Sequence, residues 1–286
     1  MADIQNILSI DVESWVHFYD DALRLDRNLS SADRKFLDSN YSCLAIEQIL
    51  KLLKKYNQKA TFFVVAEIYD WYPEAIEAII EAGHEIGYHT QSHPILYNSE
   101  ILANELKQSA DFIKRFKPAG FRAPNIYITR PAMSLLVQHG FTYSSSTYGD
   151  YMIQSIDGVA EIPVSAIPFW SNRKKDLLLP QNLSIKMLFQ QMPFGSGLFI
   201  ALFGSKISYF INHVNKKNKP AILFIHPWQM YQTKTIRGFS FVTKILRQNP
   251  LCLPYTINIL NSVEELLKKH NFTSFKHYYE QQRVLE

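Results

Sequence analysis

Continuous apolar runs separated by segments of helical periodicity constrain this chain more than any other feature. Residues 7–12 (ILSIDV), 60–65 (ATFFVV) and 220–226 (PAILFIH) are largely apolar rather than alternating. Strands of that kind are buried on both faces, as in parallel sheets sheathed by helices. Strand-like segments at 85–89, 120–123, 142–147 and 160–165 bring the number to seven. Between them, helical periodicity covers 43–57, 73–82, about 98–116 and 131–139. Pro73 and Pro131 sit in first-turn positions of two of these helices, and Gly83 and Gly140 follow their ends. This alternation predicts an α/β fold, and seven parallel strands suit a closed or nearly closed barrel better than an open sheet. Residues 166–215 are the least regular part, with amphipathic pieces around 184–190 and 204–217.

No Pro-, Gly- or Ser-rich linker divides the 286 residues, and 47% of them are hydrophobic, so a single domain over 1–286 is expected. The formal charge of +4 comes from scattered pieces, Arg173-Lys174-Lys175, Lys216-Lys217-Asn218-Lys219 and Lys268-Lys269-His270. Such pieces read as solvated loops and helix ends, which argues against nucleic-acid binding and leaves a lean towards anionic lipid or phosphate-bearing substrates. Cys43 and Cys252 are the only cysteines, so reduced thiols are the default. The N-terminus lacks the pattern of a signal peptide, and no apolar run reaches the roughly 18 residues of a membrane span. A cytoplasmic protein is expected, with at most peripheral membrane contact. The sequons at Asn28, Asn40, Asn182 and Asn271 then read as chance.

Chemistry gathers where the strands end. Asp11 and Glu13 close the first strand, His89 and His93 follow the third, Arg122 ends the fourth and His226 ends the last. In a parallel barrel those ends share one rim, where active sites are built. His89 and His93 stand at i and i+4, a spacing that puts two imidazoles on one side of a helical turn and within reach of one ion. By itself such a pair also arises on ordinary surfaces. Four strands ending in titratable or cationic residues are harder to attribute to helix caps and solvated loops.

The segments SIDVESWVH, KATFFV, EAGHEIGYHTQSH, GFRAP and FIHPW resemble, in that order, the motifs of the polysaccharide deacetylase (NodB-homology) family. The likeness covers roughly residues 7–165 and returns at 220–229. Its Asp-Val-Glu start and His-Pro-Trp end are similar to a subgroup found with bacterial surface-polysaccharide gene clusters. The resemblance implies a distorted (β/α)7 barrel and metal-dependent removal of acetyl groups from sugars. It implies Glu13, His89 and His93 as ligands of a divalent metal, Zn2+ first and Co2+, Ni2+, Fe2+ or Mn2+ as alternatives. Where most relatives have two adjacent aspartates this chain has Val12 second, so Glu13 is the natural ligand and Asp11 the base, although the two roles could be exchanged. Arg122 would pair with Asp11, His226 would act as general acid, and the backbone N–H of Asn125 would receive oxyanion charge. Trp15, Trp228 and His17 are candidates for the sugar cleft, with core packing the competing assignment. Ser144 stands where relatives place an Asp to orient the histidine, and Gln229 where the subgroup has Glu; a less basic His226 is therefore expected.

The expected function is N-deacetylation of an amino sugar in a glycan or glycan precursor. Two alternatives remain: hydrolysis of a formamide or other non-sugar amide, and a degenerate barrel that binds carbohydrate without turnover.

Overall fold

The computed structural model describes residues 4–18, 29–169, 179–181 and 183–285. Arg173-Lys174-Lys175, Asn28 and Asn182 lie outside the described residues. Among those described, the strands are β1 (Asn6–Val12), β2 (Thr61–Val64), β3 (Glu85–Tyr88), β4 (Gly120–Phe121), β5 (Tyr143–Ser144), β6 (Tyr148–Gly149), β7 (Gln154–Ile156), β8 (Val159–Glu161), β9 (Val164–Ser165), β10 (Ile167–Pro168), β11 (Gln191–Met192), β12 (Ile222–Ile225) and β13 (Phe272–Thr273). The main sheet runs β12-β1-β2-β3-β4-β5-β8-β7, with β13 attached to the start of β1. Every pairing along it from β12 to β8 is parallel, and only β7 runs antiparallel to its neighbour. Those seven parallel strands are the expected ones, curled into the incomplete, distorted barrel the sequence predicts.

The continuous apolar runs became the central strands. β1, β2 and β12 are buried along their whole lengths because helices cover the outside while side chains fill the inside. Helix Tyr41–Lys55 turns Ala45, Ile46, Ile49 and Leu53 inward, and helix Pro73–Glu81 turns Ile76 and Ile79. The segment expected to form one helix over 98–116 is two, Ser99–Gln108 and Ala110–Phe116, parted at Ser109. There the Ser109 hydroxyl lies 2.9 Å from Tyr88 Oη and donates to Gln91 Oε1, a buried polar link that an unbroken apolar face would not supply.

Between β9 and β12 the wall is completed by one residue rather than a strand. Gly195 donates to the Ser165 carbonyl at 2.9 Å and accepts from the Phe224 amide at 2.8 Å. A Cβ there would stand 2.2 Å from the Ile222 carbonyl oxygen, so only glycine fits. At the opposite end of the barrel, Phe275 enters fully buried, its amide held by Thr61 Oγ1. Phe275 stacks on Tyr143 with centroids 5.5 Å apart and closes the bottom of the interior.

Candidate active site

The strand ends do converge. Arg122, completely buried after β4, spends its whole fork on neighbours at the rim. Its Nη1 donates to Asp11 Oδ1 and to Ser9 Oγ, each at 2.9 Å; Nε donates to the Ser145 carbonyl and Nη2 to Ser145 Oγ. Phe63, Phe224 and Phe275 surround the guanidinium at 4.6, 5.0 and 5.7 Å from their ring centres. A cation so far from water persists because an anion and three oxygens replace the lost hydration.

Glu13 leaves β1 two residues after Asp11 and points into a group of imidazoles. Its Oε1 lies 2.9 Å from His226 Nε2, and its Oε2 lies 3.3 Å from His93 Nε2. Burial opposes the charge on Glu13, but His93, His226 and His89 outweigh it and hold the carboxyl well below the usual range. Asp11 is thus committed to Arg122 while Glu13 faces the histidines.

His89 and His93 meet edge to face with centroids 4.9 Å apart. They are not on a helical turn, which corrects the expectation from their spacing. A loop with left-handed backbone at Thr90 (φ 67°) and His93 (φ 63°) brings them together. Two interactions pin that loop: Thr90 Oγ1 accepts the His93 amide, and the buried Glu105 carboxylate accepts the amides of Gln91 and Ser92 at 2.7 Å each. His89 Nδ1 lies 2.7 Å from the Arg122 carbonyl, which requires a proton on that nitrogen and leaves Nε2 as a lone-pair donor. Burial pushes the His89 pKa down to about 4, so the ring is neutral near pH 7.

His226 follows β12 and is oriented by Gln229, not by Ser144. Gln229 Nε2 donates to the Gly197 carbonyl, so its Oε1 is free to accept from His226 Nδ1–H at 2.9 Å and from the His226 amide at 3.2 Å. A Cβ on Gly197 would lie 2.2 Å from that Oε1, so the arrangement needs glycine there. Trp228 stacks on the imidazole, 4.5 Å between centroids. Burial lowers the basicity of His226, yet Glu13, Asp11 and the Gln229 oxygen more than reverse this and the pKa is raised. The less basic His226 expected from Ser144 is therefore corrected. Ser144 Oγ instead lies 2.8 Å from Ser146 Oγ.

The remaining candidates divide. Trp228, 1% exposed, is packed among Phe18, Ile236, Phe241 and Ile245, and Trp15 belongs to the same cluster. Both are wall, not platform. His17 is buried with both nitrogens engaged: Nδ1 accepts the Ser14 amide, and Nε2 donates to Glu67 Oε1 at 2.6 Å. It braces the Glu13 loop from below instead of presenting a polar edge to a sugar. Asn125 is exposed in a turn with φ 54°, beside the Ala-Pro that follows Arg122.

Four side chains at the site have no counterpart in the sequence reading. Glu67 joins His17 to Arg34 through two 2.7 Å contacts, and Glu161 ends β8 with Oε1 accepting from Ser146 and Thr147. Both follow strand C-termini, and the positional rule that found Asp11 could have found them. Tyr148 and Tyr255 come from outside the motif segments. The Tyr255 ring stands edge-on to His226 at 5.6 Å, and burial raises both phenols, with Asp11 adding to it.

Among the described residues no three His, Cys, Asp or Glu side chains already stand as a coordinating set. The chemistry of the donors still suits a divalent cation. Glu13 Oε2 is buried without a hydrogen bond, His89 is neutral with its second nitrogen anchored to a carbonyl, and His93 Nε2 faces the same carboxylate. One carboxylate with two imidazoles, one of them braced from outside, is the composition of a catalytic zinc-type site.

Comparison with known proteins finds relatives in sequence and in fold. The family described as polysaccharide deacetylase matches residues 38–144. A peptidoglycan deacetylase of Helicobacter pylori is 34% identical over 108 residues, 36% of this chain and 37% of that one. A chitooligosaccharide deacetylase of Rhizobium leguminosarum bv. phaseoli is 24% identical over 233 residues, 76% of this chain and 82% of that protein. The chain thus spans little more than a third of the Helicobacter protein but most of the Rhizobium one. In fold, a Mycobacterium smegmatis crystal structure described as a polysaccharide deacetylase aligns with all of this chain and 93% of its own, with a TM-score of 0.60 at 16% identity.

Proposed function

The chain is a relative of the polysaccharide deacetylases, and from that premise we propose that it is a metal-dependent N-deacetylase of an amino sugar in a glycan or glycan precursor. The observation that carries this reading is the division of labour between two neighbouring acids. Asp11 is bound to Arg122, whereas Glu13 reaches His93 and His226.

Glu13, His89 and His93 would hold the metal, Zn2+ being the first choice for this donor set. When bound, such an ion lowers the pKa of water from about 16 to about 7 and polarises the acyl oxygen. The protein's own residues do the rest. Asp11, fixed and charge-balanced by Arg122, accepts the proton of the attacking water. With its Nδ1–H held by Gln229, His226 carries a second proton on Nε2 as the imidazolium that Glu13 and Asp11 favour, and it delivers that proton to the nitrogen as the C–N bond breaks. Acetate and a free amine result. The backbone N–H of Asn125, in the turn that follows Arg122, would receive the developing oxyanion charge. Peptidoglycan-like and chitooligosaccharide-like N-acetyl sugars, and nucleotide- or lipid-linked precursors of them, are the substrates to try.

The test is acetate release from N-acetylglucosamine oligomers by protein reconstituted with Zn2+ or Co2+. Activity should fall by about 100-fold or more in His226→Ala and Asp11→Asn, as loss of general acid–base catalysis predicts. Binding of the oligomers without any acetate release, in every metal form, would replace this reading with that of a carbohydrate-binding barrel.

A further inference from the structure

Burial of Trp15 and Trp228 leaves neither ring open to a sugar. Of the exposed aromatic rings among the described residues, Tyr97 alone is carried by a loop that also carries a proposed site residue. It stands four positions after His93 and is 62% exposed. Four residues reach at most about 14 Å, so Tyr97 lies within the span of a glycan seated at that histidine.

The local backbone aims and braces this ring. Leu96 forms a parallel bridge with Ile128 beyond the ends of β3 and β4, and both are fully buried in the core shared with helices Ser99–Gln108 and Arg130–Gln138. Tyr127 is extended (φ −121°, ψ 110°), so its side chain leaves on the side opposite Ile128, away from those helices. Its ring meets Tyr97 edge to face, with 64° between the planes and 5.4 Å between centroids. A ring braced in this way loses less freedom when a ligand lands on it than one that samples rotamers in water. The two tyrosines come from the loops of His93 and Asn125, the proposed metal ligand and oxyanion donor, so a ligand on Tyr97 lies alongside the chemistry. The surfaces are complementary. A pyranose has C–H bonds on its faces and hydroxyls round its edge, and a phenol has an apolar face and a polar tip.

We propose that Tyr97, braced by Tyr127, is a glycan-binding platform that stacks on the sugar next to the one bearing the acetamide, so that the protein acts on oligomers in preference to single sugars. The platform rests on the reading of the rim as a deacetylase site and adds the length of its substrate.

The experiment has two readouts. One is calorimetric binding of the N-acetylglucosamine tetramer to the Zn2+-loaded full chain carrying His226→Ala, which holds turnover back. The other is acetate release from tetramer and monomer by the chain with His226 intact. Without a change at Tyr97, the tetramer should bind and be turned over with a higher kcat/KM than the monomer. Tyr97→Ala should weaken tetramer binding and raise its KM about 5- to 10-fold, as expected for losing about half of a buried aromatic's transfer free energy. The kcat on the tetramer and the rate on the monomer should not change. Tyr97→Phe should keep most of the affinity, and Tyr127→Ala should lose part of it. Tyr97→Ala should keep the parent melting temperature, because the ring is largely exposed. Tetramer binding that Tyr97→Ala weakens, with no acetate released in any form, would uphold the platform and remove the deacetylase reading. Acetate release from the tetramer that Tyr97→Ala leaves intact, no binding of the tetramer before Tyr97 is changed, or a dimer that Tyr97→Ala dissolves would each overturn the platform.

Discussion

His84 and His226 are both buried imidazoles, and their neighbours drive them in opposite directions. His84 Nδ1 accepts the Ala60 amide at 3.3 Å, and burial, aided by Lys59, pushes its pKa down from 6.5 to about 4. The unfolded chain therefore binds this proton more readily than the folded one between pH 6.5 and 4. Stability attributable to His84 is present above pH 6.5 and is lost as pH falls towards 4. In His84→Asn, whose amide oxygen can still accept without titrating, the slope of denaturation midpoint against pH should flatten over that window; an unchanged slope refutes the assignment. For His226 the decisive neighbour is Gln229. Gln229→Leu should lower kcat about 10- to 100-fold with KM nearly constant, the size expected when a partner that orients a reacting group is removed. Steady-state kinetics on acetylated oligomers would show it. Asp11, Glu13, His89, Arg122 and His226 were legible because strand ends mark a rim. The orienting role of Gln229 was not, because it depends on where the Gly197 carbonyl lies, 32 residues away in sequence.

The loop from His89 to His93 shows what spacing can and cannot convey. Four residues of separation predict that two imidazoles meet, and they do, but through left-handed backbone at Thr90 and His93 instead of a helix. Holding two non-glycine residues there costs on the order of 1–3 kcal/mol each, and Glu105 and the Thr90 hydroxyl offset it. Glu105→Ala leaves the Gln91 and Ser92 amides without their acceptor, which should cost about 1–3 kcal/mol in stability. Because the loop carries both imidazoles, metal affinity should also fall about 10- to 100-fold. Calorimetric titration with Zn2+ would measure this, and equal affinity would mean the loop holds its shape without Glu105. Helices with a strong apolar stripe, such as Tyr41–Lys55, fall close to their predicted limits because periodicity alone sets which face is buried. Residues 166–215 were harder, and the described part shows why. They contain the short pairing of β10 with β11 and the single-residue wall at Gly195. Neither has a period to detect.

Across the whole molecule, the rim and the far end of the barrel are joined by aromatic side chains through the interior. Phe275 stacks on Tyr143, meets Phe63 edge-on at 5.7 Å and lies 5.7 Å from the Arg122 guanidinium, which in turn holds Asp11. The plug that closes the bottom is thus one wall of the box around Arg122, the residue that holds the proposed base Asp11. Emptying it should disturb both stability and chemistry, and a control separates the two. Phe275→Ala removes a fully buried ring and should cost about 3–5 kcal/mol. Leu267→Ala, on the outer helix Leu260–Lys269, removes a side chain that is 3% exposed and should cost a similar about 2–5 kcal/mol. Both should lower the melting temperature by roughly 10 °C, at about 2–4 °C per kcal/mol for a domain of this size. Measured well below either transition, only Phe275→Ala should reduce kcat, because only that cavity lets Arg122 and Asp11 shift. Equal kcat in the two variants would mean the plug serves the fold alone, with the rim held in register by its own hydrogen bonds.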